Sequence, residues 1–268
     1  MSAAPRIESY LEGLPTDEQE RLNAVAPAVR EYLAAVRVYL TDLHRSSGSG
    51  RRVNEANSDL TDRLVRRLFD LAEGIHVRRG GGIRAEVAVI AVGGYARREM
   101  SIHSDVDLLL LYNGELGAFV EFIAERMQYW LWDAGVSLGF ATRTIEETVE
   151  LGREDVTVRT GVLTARFLCG DGEFFHAFAD RIREELLPDP GAFVSEQQEL
   201  MRERQLEYGD TLFLLQPNVK EGAGTLRDYH AAYWVARGTQ PSVRNLDDFL
   251  HFGLLTELEM DEYREALD

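Results

Sequence analysis

The sequence is almost free of cysteine and short of positive charge. Its 268 residues include a single cysteine, Cys169, which excludes a disulfide framework or a zinc site built from several cysteines. Lysine and arginine total 29 against 46 acidic residues, a formal net charge of −17, which disfavours non-specific binding to nucleic acid or to an anionic membrane. Apolar runs of membrane-spanning length and a signal-like N-terminal apolar core are also missing. We therefore expect a cytoplasmic protein that binds neither nucleic acid nor membranes.

The remaining composition is that of a folded protein. With 45% hydrophobic residues the chain can bury a core, and its length suits one large or two modest domains. Cys169 has apolar neighbours, so we expect it to be a core residue. Arginine is clustered in pairs such as Arg97-Arg98, which leaves a local basic cleft for a triphosphate possible.

Helical periodicity lies on both sides of a central region of short apolar runs. The predicted strands are 86–92, 105–112 and 137–144. The predicted helices are 16–45, 58–76, 116–133, 155–168, 174–187, 193–214 and two short ones within 241–268. The expected fold class is α+β, with a small mixed sheet, N-terminal helices and a C-terminal helical domain. The expected parts are 1–82, 83–150 and 151–268.

The stretch 91–112, AVGGYARREMSIHSDVDLLLLY, carries the chemistry. Residues i and i+2 of a strand share one face, so Asp105 and Asp107 project together. Two neighbouring carboxylates repel each other unless a cation lies between them, and Mg²⁺ prefers such oxygen ligands. The alternative is an exposed acid pair at the start of a strand. The four leucines after Asp107 favour the metal, because an acid in apolar surroundings needs a partner.

Gly93 and Gly94 end the preceding apolar run. Glycine permits a turn with positive φ or a close approach to a ligand, and a helix that starts near Tyr95 would direct N–H groups at a phosphate. Arg97 or Arg98, one turn later, could pair with phosphate oxygens. A Gly-Gly pair after a strand is by itself more often an ordinary turn. Its significance here comes from the Ser104-Asp105-Val106-Asp107 segment ten residues later.

Together these motifs resemble the nucleotidyltransferase superfamily that includes DNA polymerase β. The segment GGYARREMSIHSDVDLLLLY is similar to the bacterial protein-PII uridylyltransferases and the related glutamine-synthetase adenylyltransferases. A second segment, NVKEGAGTLRDYHAAYWVAR from Asn218 to Arg237, resembles the Lys-x-Gly-x-Gly-Gly-hydrophobic-Arg-Asp motif of both families. Thr225 stands where that motif has glycine. Taken alone, the second segment fits a helix-capping loop equally well.

The resemblance implies a polymerase β-like core around a metal site. Its implied catalytic residues and metal ligands are Asp105 and Asp107, with Mg²⁺, or Mn²⁺ in its place. The implied nucleotide-binding residues are Gly93, Gly94, Arg97, Ser104, Lys220 and Arg227. The implied reaction moves UMP from UTP to a hydroxyl of a PII nitrogen-signalling protein and releases pyrophosphate.

Two other functions stay open. Transfer of AMP to another protein or a small molecule would use the same motifs. The other is a degenerate domain that binds nucleotide or a partner without transfer. Two departures suggest it: the superfamily's third carboxylate has no counterpart in SLGFATRT, residues 137–144, and Thr225 replaces a glycine of the second motif. The family continues with a His-Asp hydrolase domain and two ACT domains that this sequence lacks, so we expect either a fragment or a stand-alone transferase.

Several charged residues have two interpretations. Arg143 fits a phosphate ligand or a surface ion pair, and for Arg166 an internal ion pair is favoured over a phosphate contact. Glu146, Glu147 and Asp155 are weak candidates for the third carboxylate.

Overall fold

Four short strands and twelve helices are found in the part of the chain that the computed structural model describes, residues 3–82, 85–208, 218–240, 242–243 and 247–267. The strands are β1 (Val87–Ala91), β2 (Val106–Tyr112), β3 (Leu138–Arg143) and β4 (Arg166–Gly170). The helices are α1 (Ile7–Leu11), α2 (Glu18–Ser47), α3 (Gly50–Arg78), α4 (Gly93–Ala96), α5 (Ala118–Asp133), α6 (Ile145–Glu154), α7 (Val156–Leu163), α8 (Gly172–Leu186), α9 (Pro190–Tyr208), α10 (Leu226–Thr239), α11 (Asp247–His251) and α12 (Glu257–Leu267).

The strands form one mixed sheet in the order β3-β2-β1-β4. β1 is antiparallel to both β2 and β4, and β2 is parallel to β3. A parallel pair needs a crossover connection, which α5 supplies between β2 and β3. The α+β class with a small mixed sheet, predicted from the sequence, is confirmed.

Both faces of the central strands are covered, so their sequences are continuous apolar runs rather than alternating ones. Every residue of β1 is buried, and in β2 only Asp107 is partly exposed. On one face, alternate residues of β1 and β2 join a core with α1, α2, α3 and α5. The opposite face includes Ile90 of β1, which lies in register with Phe167 of β4. Asp107 belongs to this second face, since it alternates with the core residues Val106 and Leu108.

The break between α2 and α3 is much shorter than the sequence suggests. Gly48 ends α2 in the left-handed conformation (φ +67°), and the Ser49 side chain accepts a hydrogen bond from Arg52 N to cap α3. The predicted helix start near residue 58 is therefore wrong. The first two turns of α3 are mostly polar and show little apolar periodicity, which conceals them from pattern analysis.

The predicted helix 155–168 is wrong in its second half. The Asp155 side chain caps α7 by accepting from Thr157 N and Val158 N, but the helix ends at Leu163 and β4 begins at Arg166. β4 forms because it pairs with β1, a partner far away in sequence that local periodicity cannot detect. Cys169 lies in β4 against the core, and burial raises the pKa of its thiol. The expectation of a core cysteine is confirmed.

The chain divides into two compact units. The first consists mainly of Met1–Glu150 and Ala165–Phe178, and the second consists of Leu151–Thr164 and Ala179–Ala266. The three-part division at residues 82/83 and 150/151 stays a prediction, and residue 83 lies outside the described residues. Of the predicted helix 193–214, residues 209–214 also lie outside them. In the described parts of the chain, every helix is too short or too polar to cross a membrane.

Candidate functional site

Four strand ends meet at one edge of the sheet. β1 ends there and leads into the Gly93 turn, while β2, β3 and β4 all start there. Val92 N donates to Asp107 O at 3.1 Å, and Val106 N donates to Ser137 O at 2.8 Å. These two backbone bonds join the ends of β1, β2 and β3 at the point where the acidic pair lies.

The two aspartates differ in their surroundings. Asp105 immediately precedes β2 and is exposed, and its Oδ1 accepts from Ser137 Oγ at 2.5 Å. Asp107 is the second residue of β2 and is half-buried. Burial raises the pKa of Asp107, and the nearby negative charge of Asp105 raises it further. The structure therefore brings the predicted pair together as two mutually repelling carboxylates.

This donor set suits a hard divalent cation. Carboxylate oxygens are preferred ligands of Mg²⁺, which commonly takes one or two of them together with phosphates and waters. A cation between Asp105 and Asp107 would offset the repulsion that raises the pKa of Asp107. Within the described ranges, no group of three or more His, Cys, Asp or Glu side chains is placed to hold a metal. Among those residues, Asp105 and Asp107 are the pair that a cation could bridge.

The glycine turn is a single turn of helix beside these acids. α4 begins at Gly93 itself, which has φ +59°, a conformation that favours glycine. A Cβ at Gly94 would meet only the Arg97 guanidinium, at 3.9 Å, so the backbone here is accessible. The first N–H groups of a helix have no partner within it. The turn therefore lies next to the carboxylates, and the binding of a phosphate by its backbone N–H groups stays a prediction.

Arg97 and Ser104 are already engaged within the chain. Arg97 Nε donates to Glu99 Oε2 at 2.8 Å, and the Arg97 side chain is only 9% exposed. Ser104 Oγ accepts from Ser101 N at 2.9 Å and shapes the loop before β2. Their roles in nucleotide binding stay predictions, and either residue would have to exchange these bonds for a phosphate contact.

Helix α3 holds the connector between the glycine turn and β2. Asn57 Nδ2 donates to Met100 O at 3.2 Å and to Ser101 O at 2.9 Å. Arg98, which adopts φ +64°, pairs with Asp59 at 2.7 Å. The sequence analysis missed these supports, because Asn57 and Asp59 look like ordinary polar positions of a helix.

Arg166 of β4 forms hydrogen bonds to both the glycine turn and helix α3. Its Nη1 and Nη2 donate to the two carboxylate oxygens of Asp62 in α3, and its Nε and Nη2 donate to Ala96 O and Tyr95 O. Arg166 thus gives side-chain donors to two carbonyl groups at the end of α4, of which Tyr95 O also accepts from Arg98 N at 3.2 Å. The internal ion pair favoured for Arg166 is confirmed.

The other charged candidates differ from one another. Arg143 is half-buried at the end of β3 and, within the described residues, has neither an ion pair nor a side-chain hydrogen bond. Glu147 Oε2 accepts from Thr144 N at 2.8 Å while Thr144 Oγ1 accepts from Glu147 N at 3.1 Å, the reciprocal capping box of α6. Glu147 and Asp155 therefore serve as helix caps.

The second motif forms a tightly bonded loop in the second unit. Thr225 Oγ1 donates to Lys220 O at 2.9 Å and to Gly222 O at 2.6 Å. Gly224 takes the left-handed conformation with φ +70°, whereas Thr225 has φ −106°. The position of Thr225 therefore does not require glycine, and its hydroxyl fastens the loop.

Lys220 and Arg227 differ in how they are bound. Lys220 is exposed and is the single lysine of the whole sequence. Arg227 donates through Nε and Nη2 to Glu221, at 3.3 and 3.0 Å, and its hydrogen bond lowers the pKa of Glu221. Their assignment to nucleotide binding stays a prediction.

Both motifs lie in segments that match known families. Residues 192–268, which include Lys220 and Arg227, match the family described as GlnD PII-uridylyltransferase. Residues 34–142, which include Gly93, Asp105 and Asp107, match the family described as putative nucleotidyltransferase DUF294.

Curated proteins are similar over most of the chain. A bifunctional uridylyltransferase/uridylyl-removing enzyme of Erythrobacter litoralis is 34% identical over 266 residues, covering 97% of this chain and 29% of the relative. The proteins of that name from Bradyrhizobium diazoefficiens and Rhodospirillum rubrum are 32% and 37% identical, over 98% and 78% of this chain. The chain spans only 29% and 22% of the length of these two relatives.

Proposed function

The chain is related to the GlnD PII-uridylyltransferases and carries a nucleotidyltransferase domain, and we propose that it transfers UMP from UTP to a hydroxyl of a PII-type nitrogen-signalling protein. The observation that carries the proposal is the pair Asp105 and Asp107 at the start of β2, beside the turn at Gly93. UTP and signalling proteins are found in the cytoplasm, where we propose that the protein acts.

Asp105 and Asp107 are the residues that would hold Mg²⁺, or Mn²⁺ in its place. Their oxygens suit a hard cation. Burial raises the pKa of Asp107 and the charge of Asp105 raises it further, and a bound cation would offset that repulsion. When bound, the ion orients the α-phosphate and stabilises charge on the departing pyrophosphate.

In the proposed reaction, the acceptor oxygen forms a bond to the α-phosphorus of UTP. The bond from that phosphorus to the bridging oxygen breaks, and pyrophosphate leaves with the electron pair. One of the two aspartates takes the proton of the acceptor hydroxyl, as a general base. The exposed Asp105 is the more accessible of the two for this step.

The nucleotide contacts are proposed from the same residues that the sequence singles out. The backbone at Gly93 and Gly94 receives the phosphates, and the Arg97 and Ser104 side chains contribute further contacts to them. Lys220 supplies a point charge on an exposed loop, and Arg227 supplies a guanidinium that pairs with Glu221 in the protein alone. A cation of either kind offsets the charge that develops during phosphoryl-type transfer.

The test is the intact mass of a PII-type protein after incubation with this chain, Mg²⁺ and each nucleoside triphosphate separately. We expect an increment of one UMP per acceptor chain with UTP alone. An increment of AMP with ATP alone would assign the adenylyl reaction instead. No increment with any nucleotide would contradict transfer to this acceptor.

Two variants test whether UMP transfer depends on Asp105 and Asp107. The double variant Asp105→Asn/Asp107→Asn removes both charges and should give no increment. The matched control Glu115→Gln makes the same chemical change on an exposed loop and should react as the unsubstituted chain does.

A further inference from the structure

Asp107 lies in register with Gly139 of the neighbouring parallel strand β3. A Cβ at Gly139 would lie 2.4 Å from Asp107 Oδ1 and 3.5 Å from its Cγ. Ordinary C···O contacts are about 3.3 Å or longer. The Asp107 carboxylate therefore occupies the space that a side chain at position 139 would fill.

Gly93, just after the end of β1, lies close to the other oxygen of the same carboxylate. A Cβ at Gly93 would lie 3.2 Å from Asp107 Oδ2. Each carboxylate oxygen of Asp107 thus lies against a glycine, Oδ1 against Gly139 and Oδ2 against Gly93. Gly93 also needs its glycine for a positive φ, whereas Gly139 lies in a regular strand and is not among the glycines with positive φ. The backbone does not explain a glycine at position 139, but the carboxylate does.

We propose that Gly139 is a positioning residue for the metal-binding carboxylate of Asp107. The inference rests on the proposed function, because it concerns the same site. The atom that an alanine at position 139 would meet is the end of a flexible side chain, so rotation of the Asp107 carboxylate relieves the contact. The strand pairing persists, and the oxygen atoms move relative to Asp105.

The same geometry excludes a third carboxylate at position 139 of β3. An acidic side chain at position 139 cannot coexist with Asp107 in its present place, because even a Cβ there is too close. The next residues of β3 on that face are Ala141 and Arg143. Position 139 would therefore supply no ligand, and Asp105, nucleotide phosphates and water would complete the shell of a cation bound at Asp107.

The test compares Gly139→Ala with Gly13→Ala, whose added Cβ would have nothing within 4 Å. The Kd for Mn²⁺ is measured from the electron paramagnetic resonance signal of the free ion, and folding is followed by thermal unfolding. We expect Gly139→Ala to raise the Kd about 10- to 100-fold, the usual effect of losing a residue that supports a metal ligand. Its unfolding midpoint should stay close to that of Gly13→Ala, which should bind Mn²⁺ normally.

The same substitution made in the Asp107→Asn protein separates an effect on the Asp107 carboxylate from a general distortion of the site. In the Asp107→Asn protein, Gly139→Ala should cause no further loss of Mn²⁺ affinity, because its effect acts through that carboxylate. The proposal is overturned by an unchanged Kd in Gly139→Ala, by an equal added loss in both backgrounds, by unfolding of Gly139→Ala, or by no Mn²⁺ binding to the unsubstituted chain. Failure of the proposed function is seen separately, as absence of UMP transfer by a chain that does bind Mn²⁺.

Discussion

Arg166 Nη1 and Nη2 donate to the two carboxylate oxygens of Asp62, at 2.5 and 3.0 Å, and so join β4 to α3. Asp62 is only 6% exposed, and Arg166 also binds two carbonyl groups of the glycine turn. We expect Arg166→Ala to lower the free energy of unfolding by about 3 kcal/mol, because the buried Asp62 carboxylate is then left with its longer contact with Arg66, at 3.9 Å. Urea unfolding followed by circular dichroism measures this.

Two further variants control that experiment. Arg166→Lys keeps the charge but not the two-point geometry, so it should recover only part of the loss. Arg52→Ala, at an exposed position of the same helix as Asp62, should change the free energy of unfolding by less than about 0.5 kcal/mol. An Arg166→Ala protein as stable as Arg52→Ala would contradict the supporting role of the ion pair.

The raised pKa of Asp107 predicts a stability that depends on pH. A carboxyl group with a higher pKa in the folded than in the unfolded state binds more protons when folded, so the free energy of unfolding falls as pH rises through that interval. Ionised Asp107 therefore destabilises the metal-free protein at neutral pH. We expect Asp107→Asn to raise the unfolding midpoint at neutral pH in chelator, and this advantage to vanish below the usual carboxyl range.

Calorimetric melts across this pH range, with and without Mg²⁺, measure both effects. Because a ligand that binds the folded state stabilises it, Mg²⁺ should raise the midpoint of the unsubstituted chain more than that of Asp107→Asn. A lower midpoint for Asp107→Asn in chelator would contradict the unfavourable burial of this charge.

The single lysine gives a direct test of the second motif. Lys220 is exposed, so amine-specific acetylation should modify it readily, with the N-terminal amine as an internal reference. If Lys220 contacts a phosphate, UTP with Mg²⁺ should slow its acetylation but not that of the N-terminus. Peptide mass spectrometry measures both rates, and equal rates with and without UTP would remove Lys220 from the nucleotide site.

Loss of the lysine should weaken nucleotide binding without affecting folding. A charge-assisted contact contributes about 1.5 kcal/mol, so Lys220→Ala should raise the Kd for UTP about tenfold. Val219→Ala, a change at the adjacent exposed position, is the matched control. Isothermal titration calorimetry distinguishes these outcomes.

The central part of the fold can be predicted from the sequence because its strands follow from local residue patterns. β1 and β2 are continuous apolar runs, and Asp105 and Asp107 share a face through the two-residue period of a strand. β4 is different, since Arg166–Gly170 becomes a strand only by pairing with β1. Long-range pairing leaves no periodic signal in five residues, and so the segment resembles the end of a helix.

The residues that support the site are harder to find than those that form it. Asp62 and Asn57 are polar positions of a long helix, and only the folded structure brings them to the glycine turn and its connector. Gly139 gives a clearer signal, a glycine inside a strand, which often marks a close approach of another group. The identity of that group, the Asp107 carboxylate, depends on the register between β2 and β3.

The most direct test of the account is the initial rate of Mg²⁺-dependent UMP incorporation into a PII-type protein by Asp107→Asn, beside Glu115→Gln. Loss of a metal ligand removes several kcal/mol of transition-state stabilisation, so we expect the Asp107→Asn rate to fall at least about a hundredfold. Glu115→Gln should match the unsubstituted chain. An Asp107→Asn protein that transfers UMP at the unsubstituted rate would contradict the central claim that the acidic pair on β2 is the catalytic site.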